Sequence, residues 1–562
     1  MPSIVGKRRG KQTYYYLVES ARVDGKPRIV SQRYLGSAEE VAARLQGAGA
    51  GDPDRSQHKR FGDLAAVWWA LERLDVAGII DATVGSRRSD AAASVGVYIA
   101  LATANRIVKP CSKLAFASWW ATTAGGRWVR LPPAALDHRR FWDAMDTLSD
   151  DHLRAVEAAI AQRMVAQFGL DLSALVLDMT NFATFVDSAN DRAPIAQRGK
   201  AKQKRTDLRL VGLALVVTRD GGIPILSRAY AGNRPDVTQF SAVIDELVAR
   251  YRELVNSVET LTLVYDAGQN STGNQTHIEA SALGFVGSLV VSDHPDLLAV
   301  PAKQFKLVDA GRFDGLTAYD TTATALGVTR RAVVTHSPTF HAAQTRGFEQ
   351  TLAKAGRRLG DLQARLARGK TRKSRAKVEA EIAAILKPRW VDRVIEVTLI
   401  GDEPAELRLM WTTNHSGRRR LEAEIFGKRI LFTNRDDWPV GDVVAAYRSQ
   451  ADAEAGFRQM KDPHVVSFSP LRHWTDQKIR VHVFYCVLAL MIAHLLRRHA
   501  AQAGLAMSVR ELLATLAGIE ETVLLYQGDR GRPRARHMLT DMTPTQQRLF
   551  DLFEMHRYAP SR

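Results

Sequence analysis

The chain holds only two cysteines, Cys111 and Cys486, among 562 residues. They lie far apart in sequence, so no disulfide framework or cysteine-based metal site is implied, and a reducing cytosol suits them. The first residues, MPSIVGKRRGKQ, are basic but carry no apolar segment of the secretory kind. Long apolar runs are missing as well. The most apolar stretch, Val481 to Leu496, includes His482 and His494 and is too short to cross a bilayer, so a buried core helix is expected and no membrane partner. No Gly-rich phosphate loop of the NTPase kind occurs, which argues against ATP use. Acid is in short supply too. Against 78 Lys and Arg stand 60 Asp and Glu, leaving a net charge of +18 and a pI near 9.9. That excess favours a polyanionic partner, of which nucleic acid is the commonest. An arginine-rich composition without a target is the plain alternative.

The patterning gives the order of elements. TYYYLVESARV and RIVSQRYLG flank Asp24-Gly25 and read as a hairpin. The Gly/Ala-rich stretch 47–54 reads as a linker. Residues 61–168 read as helices, with Trp68, Trp69, Trp119 and Trp120 as core groups rather than stacking groups for bases. A strand-rich block follows. LSALVLDMTNF holds an apolar run ending in Asp178, LRLVGLALVV and IPILSRAY flank a turn at 220–222, and VETLTLVYDAGQ ends a strand at Asp266. Pro235 and Asp236 suit the start of the intervening helix. Strand, hairpin, helix, strand, helix, strand is the order of a mixed α/β sheet of the ribonuclease H kind. Beyond residue 297 come short strands, a helical hairpin with a basic tip at 368–377, and strands at VDRVIEVTLI, LRLMWTTN and KRILFTN. YRSQADAEAGFRQMK, Tyr447 to Lys461, reads as one helix. At about 100° per residue, Tyr447, Gln450, Glu454, Arg458 and Lys461 fall within a sector of roughly 80°.

Asp178, Asp266 and Glu454 are the candidate catalytic residues. Two acids at strand ends and one on a packed helix would repel unless a cation joined them. Hard oxygen ligands suit Mg²⁺ or Mn²⁺. Two such ions would support in-line phosphoryl displacement. Each acid also has a plain structural reading: Asp178 as a cap before Asn181, Asp266 serving the turn at Gly268, Glu454 as an exposed helix acid.

VLDMTNF, VYDAGQNS and Y-x2-Q-x3-E-x6-K resemble the three catalytic blocks of bacterial insertion-sequence transposases of the Asp-Asp-Glu type, in the "IS four"-like subgroup with its Tyr-Arg-Glu-Lys motif. TYYYLVES, YAGNRPDVTQF, KRILFTN and KIRVHVFYCVLAL resemble that subgroup too, so the likeness covers most of the chain. The resemblance implies a ribonuclease H-like core interrupted by a largely β insertion. It implies Mg²⁺-dependent cutting at transposon ends and joining of the 3′-hydroxyls to target DNA by a dimer. Asp178, Asp266 and Glu454 would be metal ligands for two ions, and Tyr447 and Lys461 would contact the DNA backbone. Gln450 stands where the motif has Arg, and Arg458 is the expected substitute, better placed on the wheel than Arg448.

The basic loop 198–207, with Arg198, Lys200, Lys202, Lys204 and Arg205, is a candidate DNA contact beside the active edge. The implied organisation is a small β region at 1–50, a helical DNA-end-binding region at 51–168, the core in two parts at 169–296 and 438–525, the insertion at 297–437 and a tail at 526–562. Two rivals remain: a nuclease or junction resolvase that cuts without joining, and a retired transposase that only binds DNA.

Overall fold

The structure is a computed structural model. It describes residues 2–10, 12–23, 26–46, 53–85, 91–199, 207–254, 261–370, 372–526 and 534–561. The chain begins with β1 (Pro2–Arg9), β2 (Gln12–Val23), β3 (Lys26–Ser37), α1 (Ala38–Gln46) and β4 (Arg55–Arg60). Helices α2 (Gly62–Arg73), α3 (Val76–Val84), α4 (Val95–Val108), α5 (Phe116–Ala121), α6 (His138–Asp146) and α7 (Asp150–Phe168) follow. Next come β5 (Ala174–Thr184), β6 (Gln197–Arg198), β7 (Arg209–Thr218), β8 (Pro224–Ala231), α8 (Phe240–Leu254), β9 (Thr262–Val264), α9 (Thr272–Ala280) and β10 (Gly284–Leu289). After α10 (Pro295–Leu298) stand β11 (Lys306–Leu307), β12 (Thr317–Ala325), β13 (Val328–His336), α11 (Pro338–Ala367), α12 (Arg375–Leu386), β14 (Ile395–Ile400), β15 (Arg408–Thr413), α13 (His415–Ile425) and β16 (Lys428–Thr433). The chain continues as α14 (Val440–Arg448), α15 (Gln450–Met460), α16 (Asp476–Gln502), α17 (Val509–Ala517), β17 (Glu520–Tyr526), β18 (Arg534–Leu539) and α18 (Pro544–Leu552).

These elements form two compact units, Met1–Trp69 with Ser118–Arg130 and Glu511–Arg562, and Ala70–Ala117 with Leu131–Arg510. In the first, β1, β2 and β3 make an antiparallel sheet, and β17 pairs with both β4 and β18. The N-terminal sheet therefore has a strand, Pro2–Arg9, that the hairpin reading did not include, and β4 lies in a stretch read as helical. The turn at Asp24-Gly25 and most of the 47–54 linker lie outside the described residues. Trp68, Trp69, Trp119 and Trp120 are all buried, as core groups should be.

The second unit is mixed α/β around one sheet of order β11-β12-β13-β16-β10-β9-β5-β7, with β6 and β8 both paired to β7. β5, β9 and β10 run parallel, whereas β7 is antiparallel to β5. β7, RLVGLALVVT, is buried along nearly its whole length, as a continuous apolar run covered on both faces should be. Its Gly212 is required, because a Cβ there would lie 2.2 Å from the Tyr230 ring of β8.

Two sequence expectations change here. Residues 297–437 do not form a largely β insertion: β12, β13 and β16 belong to the main sheet, with Val333 opposite Leu431. The excursion between β13 and β16 is mostly helical, and Leu359, Leu362, Val378, Leu407 and Leu421 give it a core of its own. That pairing joins segments about a hundred residues apart, a separation that no local pattern reports. At the tip of its helical hairpin two of the basic residues are paired with acids. Lys373 bonds Glu381 and Arg375 bonds Glu379, at 2.8 and 2.9 Å. Finally, α16 is long and apolar enough to cross a membrane, contrary to the shorter run read from sequence, but 94% of its apolar window is buried inside the protein. Burial holds its histidines neutral. His482 sits well below the usual imidazole range, and His494 is lowered to about 4.

A buried clamp fixes β8 against α7 and α8. Arg250 Nη1 donates to Glu157 Oε2 at 2.5 Å and to Ile225 O at 3.0 Å, while Ser227 Oγ donates to Glu157 Oε1 at 2.5 Å. Removing one partner leaves the other charge buried and unpaired. Arg250→Met should therefore lose about 3–5 kcal/mol in urea unfolding, and adding Glu157→Leu should restore most of it. A double variant no more stable than the single one would contradict this account of the pair.

Candidate active site

Asp178 lies in the middle of β5, not at its end. The strand continues to Thr184, so the residue does not cap a turn before Asn181. The alternation of side chains puts Asp178, Thr180 and Phe182 on one face of the sheet. The helical layer packs there. Lys461, just after α15, donates from Nζ to Thr180 Oγ1 at 2.9 Å and stands 5.5 Å from the Phe182 ring centroid. Phe468, in the following loop, stacks on Phe182 with centroids 4.1 Å apart.

The parallel pairing of β5 with β9 sets Val176 opposite Val264. Asp178 follows Val176 by two residues within β5, and Asp266 follows Val264 by two residues beyond the end of β9, where it opens the 3-10 turn Ala267–Gln269. Asp266 also serves the turn, since its Oδ1 accepts from Gly268 N at 2.9 Å. Asp178 Oδ1 accepts from Met179 N at 2.7 Å. The field of Asp178 reaches Tyr230. That phenol is pushed up by burial first, then by its hydrogen bond to Asp236, and then by the neighbouring carboxylates. It therefore remains a protonated donor at neutral pH.

Tyr447 to Lys461 is not one helix. α14 ends at Arg448 and α15 starts at Gln450. Ser449 lies between them, and its Oγ donates to Ala446 O at 2.5 Å, offering the backbone an alternative to the helical ladder. The single stripe is thereby divided. Tyr447 belongs to α14 and is only 8% exposed. Its hydroxyl donates to Ser288 Oγ at 3.0 Å and accepts from Arg429 Nη1 at 3.3 Å. Gln450 and Glu454 belong to α15, with Glu454 on its exposed side.

Tyr447, Gln450 and Glu454 line a cleft of about 280 Å³ together with Phe340, Arg429 and Arg448. The Arg429 guanidinium lies over the Phe340 ring at 4.5 Å, and that of Arg448 over Phe313 at 4.7 Å. The Gln450 Nε2 is buried with no hydrogen-bond partner among the described residues. Arg458 is exposed on α15 and does not line this cleft. The wheel set Arg458 beside Tyr447 on one unbroken helix, whereas the two residues stand on different helices. The guanidiniums beside Gln450 are instead Arg448 and Arg429. Nothing in the sequence pointed to Arg429, since its position depends on β16 pairing with β10 and β13. In the basic loop, Arg198 donates to Ser188 Oγ at 2.9 Å, whereas Lys200, Lys202, Lys204 and Arg205 lie outside the described residues.

Asp178 within β5 and Asp266 just past β9 are half-buried carboxylates on paired segments, and oxygen donors of this kind suit a hard divalent ion. Glu454 does not complete the set in this arrangement. Among the described residues, no three His, Cys, Asp or Glu side chains form a group that could hold a metal ion.

No family model matches the chain, and no curated protein matches it. Among solved structures it is similar to a piggyBac transposase in a synaptic complex with hairpin DNA. The identity is 8% over 83% of this chain and 82% of that one, with a TM-score of 0.38. A score of that size does not establish a shared fold, so any functional reading rests on the residues above.

If the cleft holds backbone phosphate, Arg429→Ala and Arg448→Ala should each weaken DNA binding and lower its salt slope by about 1. Arg458→Ala should change both less. Equal effects of all three in a salt titration would reject the cleft as the phosphate contact.

Proposed function

We propose that the chain is a DNA transposase that cuts at insertion-sequence ends and joins their 3′-hydroxyls to target DNA. The observation that carries the proposal is the parallel pairing of β5 with β9, which puts Asp178 on one strand and Asp266 just past the end of the other, with the Glu454 helix joined to β5 through Lys461 and Thr180. The strand order β8-β7-β5-β9-β10, with β7 antiparallel, supports a ribonuclease H-like core. The charge of +18 supports a double-stranded DNA partner.

In this proposal Asp178, Asp266 and Glu454 would hold two Mg²⁺ or Mn²⁺ ions. Bound there, such ions activate a water or hydroxyl nucleophile and stabilise the leaving oxygen. The chain's own groups position the substrate. Lys461, braced by Thr180 and Phe182, offers a fixed cation to a phosphate beside the two Asp residues. Arg429 and Arg448 offer two guanidiniums on the Glu454 side. Tyr447 acts through Arg429, which it orients with its hydroxyl. The proposal includes a homodimer pairing two DNA ends in the bacterial cytoplasm.

The separation of Glu454 from the two Asp residues favours one other reading, a transposase-derived protein that binds DNA without cutting it. A single assay divides these outcomes. It combines labelled DNA carrying candidate ends, Mg²⁺ and a target plasmid. Joined product is the expected result. Nicks alone would indicate a nuclease, and binding alone the retired protein. Asp178→Asn and Asp266→Asn should each abolish cutting, by at least about a thousandfold, while leaving DNA binding within about threefold. Cutting that survives either change would reject the proposed active site.

A further inference from the structure

Away from that sheet edge, a pocket of about 230 Å³ opens among α4, α6, α16 and the loop 470–473. Its floor is cationic. Lys113 is 6% exposed and Arg106 only 1%. The Lys113 Nζ and the Arg106 Nε are both buried without a hydrogen-bond partner among the described residues. Both cations face the same ring. Nζ of Lys113 stands 4.5 Å from the Tyr485 centroid, and Cζ of Arg106 stands 5.9 Å from it. The other Arg106 nitrogens are spent on carbonyls, Nη1 on Ser469 O and Nη2 on Cys111 O, each at 2.8 Å.

Among the described residues, no carboxylate lines this pocket. Burial, with Arg106 acting in the same direction, lowers Lys113 to about 7, while Cys486 and Cys111 act the other way. Burial lowers His473 to about 3, with Lys113, Arg106 and Lys478 acting in the same direction. At the rim, His138 meets Asp137 at 3.6 Å, but that carboxylate also takes Arg139 at 3.0 Å. Lys478 is paired with Asp146. Arg472 lines the mouth and is exposed. Trp142, edge-on to His138 and partly exposed, supplies an aromatic wall.

Burial and the neighbouring guanidinium disfavour the charged form of Lys113, and an anion entering the pocket would favour it again. A pocket that adds an aromatic wall and an exposed guanidinium suits a phosphate carried beside a planar ring. We infer that this pocket binds the phosphate group of a nucleotide, with Lys113, Arg106 and Arg472 toward the phosphate and Trp142 toward the ring. The inference does not depend on the proposed transposase activity, and none of its residues belongs to the Asp178–Asp266 site.

The test is calorimetric titration of the full chain with inorganic phosphate and with a deoxynucleoside monophosphate. Lys113→Met keeps the length and apolar stem of the side chain while removing the charge. Arg472→Gln is at an exposed position where folding is not at stake. Wild-type protein should bind the nucleotide, and each variant should weaken that binding at least tenfold. Nucleotide binding tighter than inorganic phosphate gives a nucleotide as the source of the phosphate. Equal affinities give free phosphate, and would overturn the part assigned to Trp142. Failure of wild type to bind either probe, or equal binding by wild type and both variants, would overturn the site.

Discussion

The parallel pairing of β5 with β9 is the constraint on which the rest depends. With Val176 opposite Val264, it joins two segments far apart in the chain, each carrying an acid two residues further on, Asp178 and Asp266. Side chains alternate along a strand, so a one-residue slip would move one of them to the opposite face. The register is held from both sides. β7 pairs along all of β5, from Leu175–Thr218 to Thr184–Arg209, and β10 pairs with β9 on the far side. The buried apolar residues of β5 and β7 make that register costly to change.

The helical layer completes the edge through contacts of two kinds. Lys461 and Phe468 fasten the end of α15 and its following loop to Thr180 and Phe182. Tyr447 fastens α14 to β10 through Ser288 and to β16 through Arg429. Between those anchors lies the break at Ser449, which turns Gln450 and Glu454 into a cleft with Arg429 and Arg448. The acids stand on β5 and just past β9, and the guanidiniums of Arg429 and Arg448 stand on β16 and α14 in the Glu454 cleft.

Much of this was legible from local pattern. The apolar runs gave β5, β7, β9 and β10. Gly221 and Gly222, at φ 93° and 62°, gave the β7–β8 turn. The Asp266 turn at Gly268 was readable as well, and the structure contains it. What escaped reading depended on partners distant in sequence. β12, β13 and β16 read as parts of an insertion because their pairing into the main sheet leaves no local trace. The break at Ser449 escaped because Ser-Gln-Ala is compatible with helix, and Tyr447 before it is anchored at Ser288, a residue distant in sequence. Arg429 escaped for the same reason, as an arginine on a strand whose neighbours come from elsewhere in the chain.

The central claim concerns where a divalent ion sits. A cryo-EM or crystal structure of the chain bound to a DNA end with Mn²⁺ would test it most directly. The account predicts metal density shared by Asp178 and Asp266, with carboxylate oxygens at about 2.0–2.2 Å and Glu454 drawn into the same shell. Density elsewhere, or an ion that leaves either Asp178 or Asp266 out of its coordination shell, would contradict it.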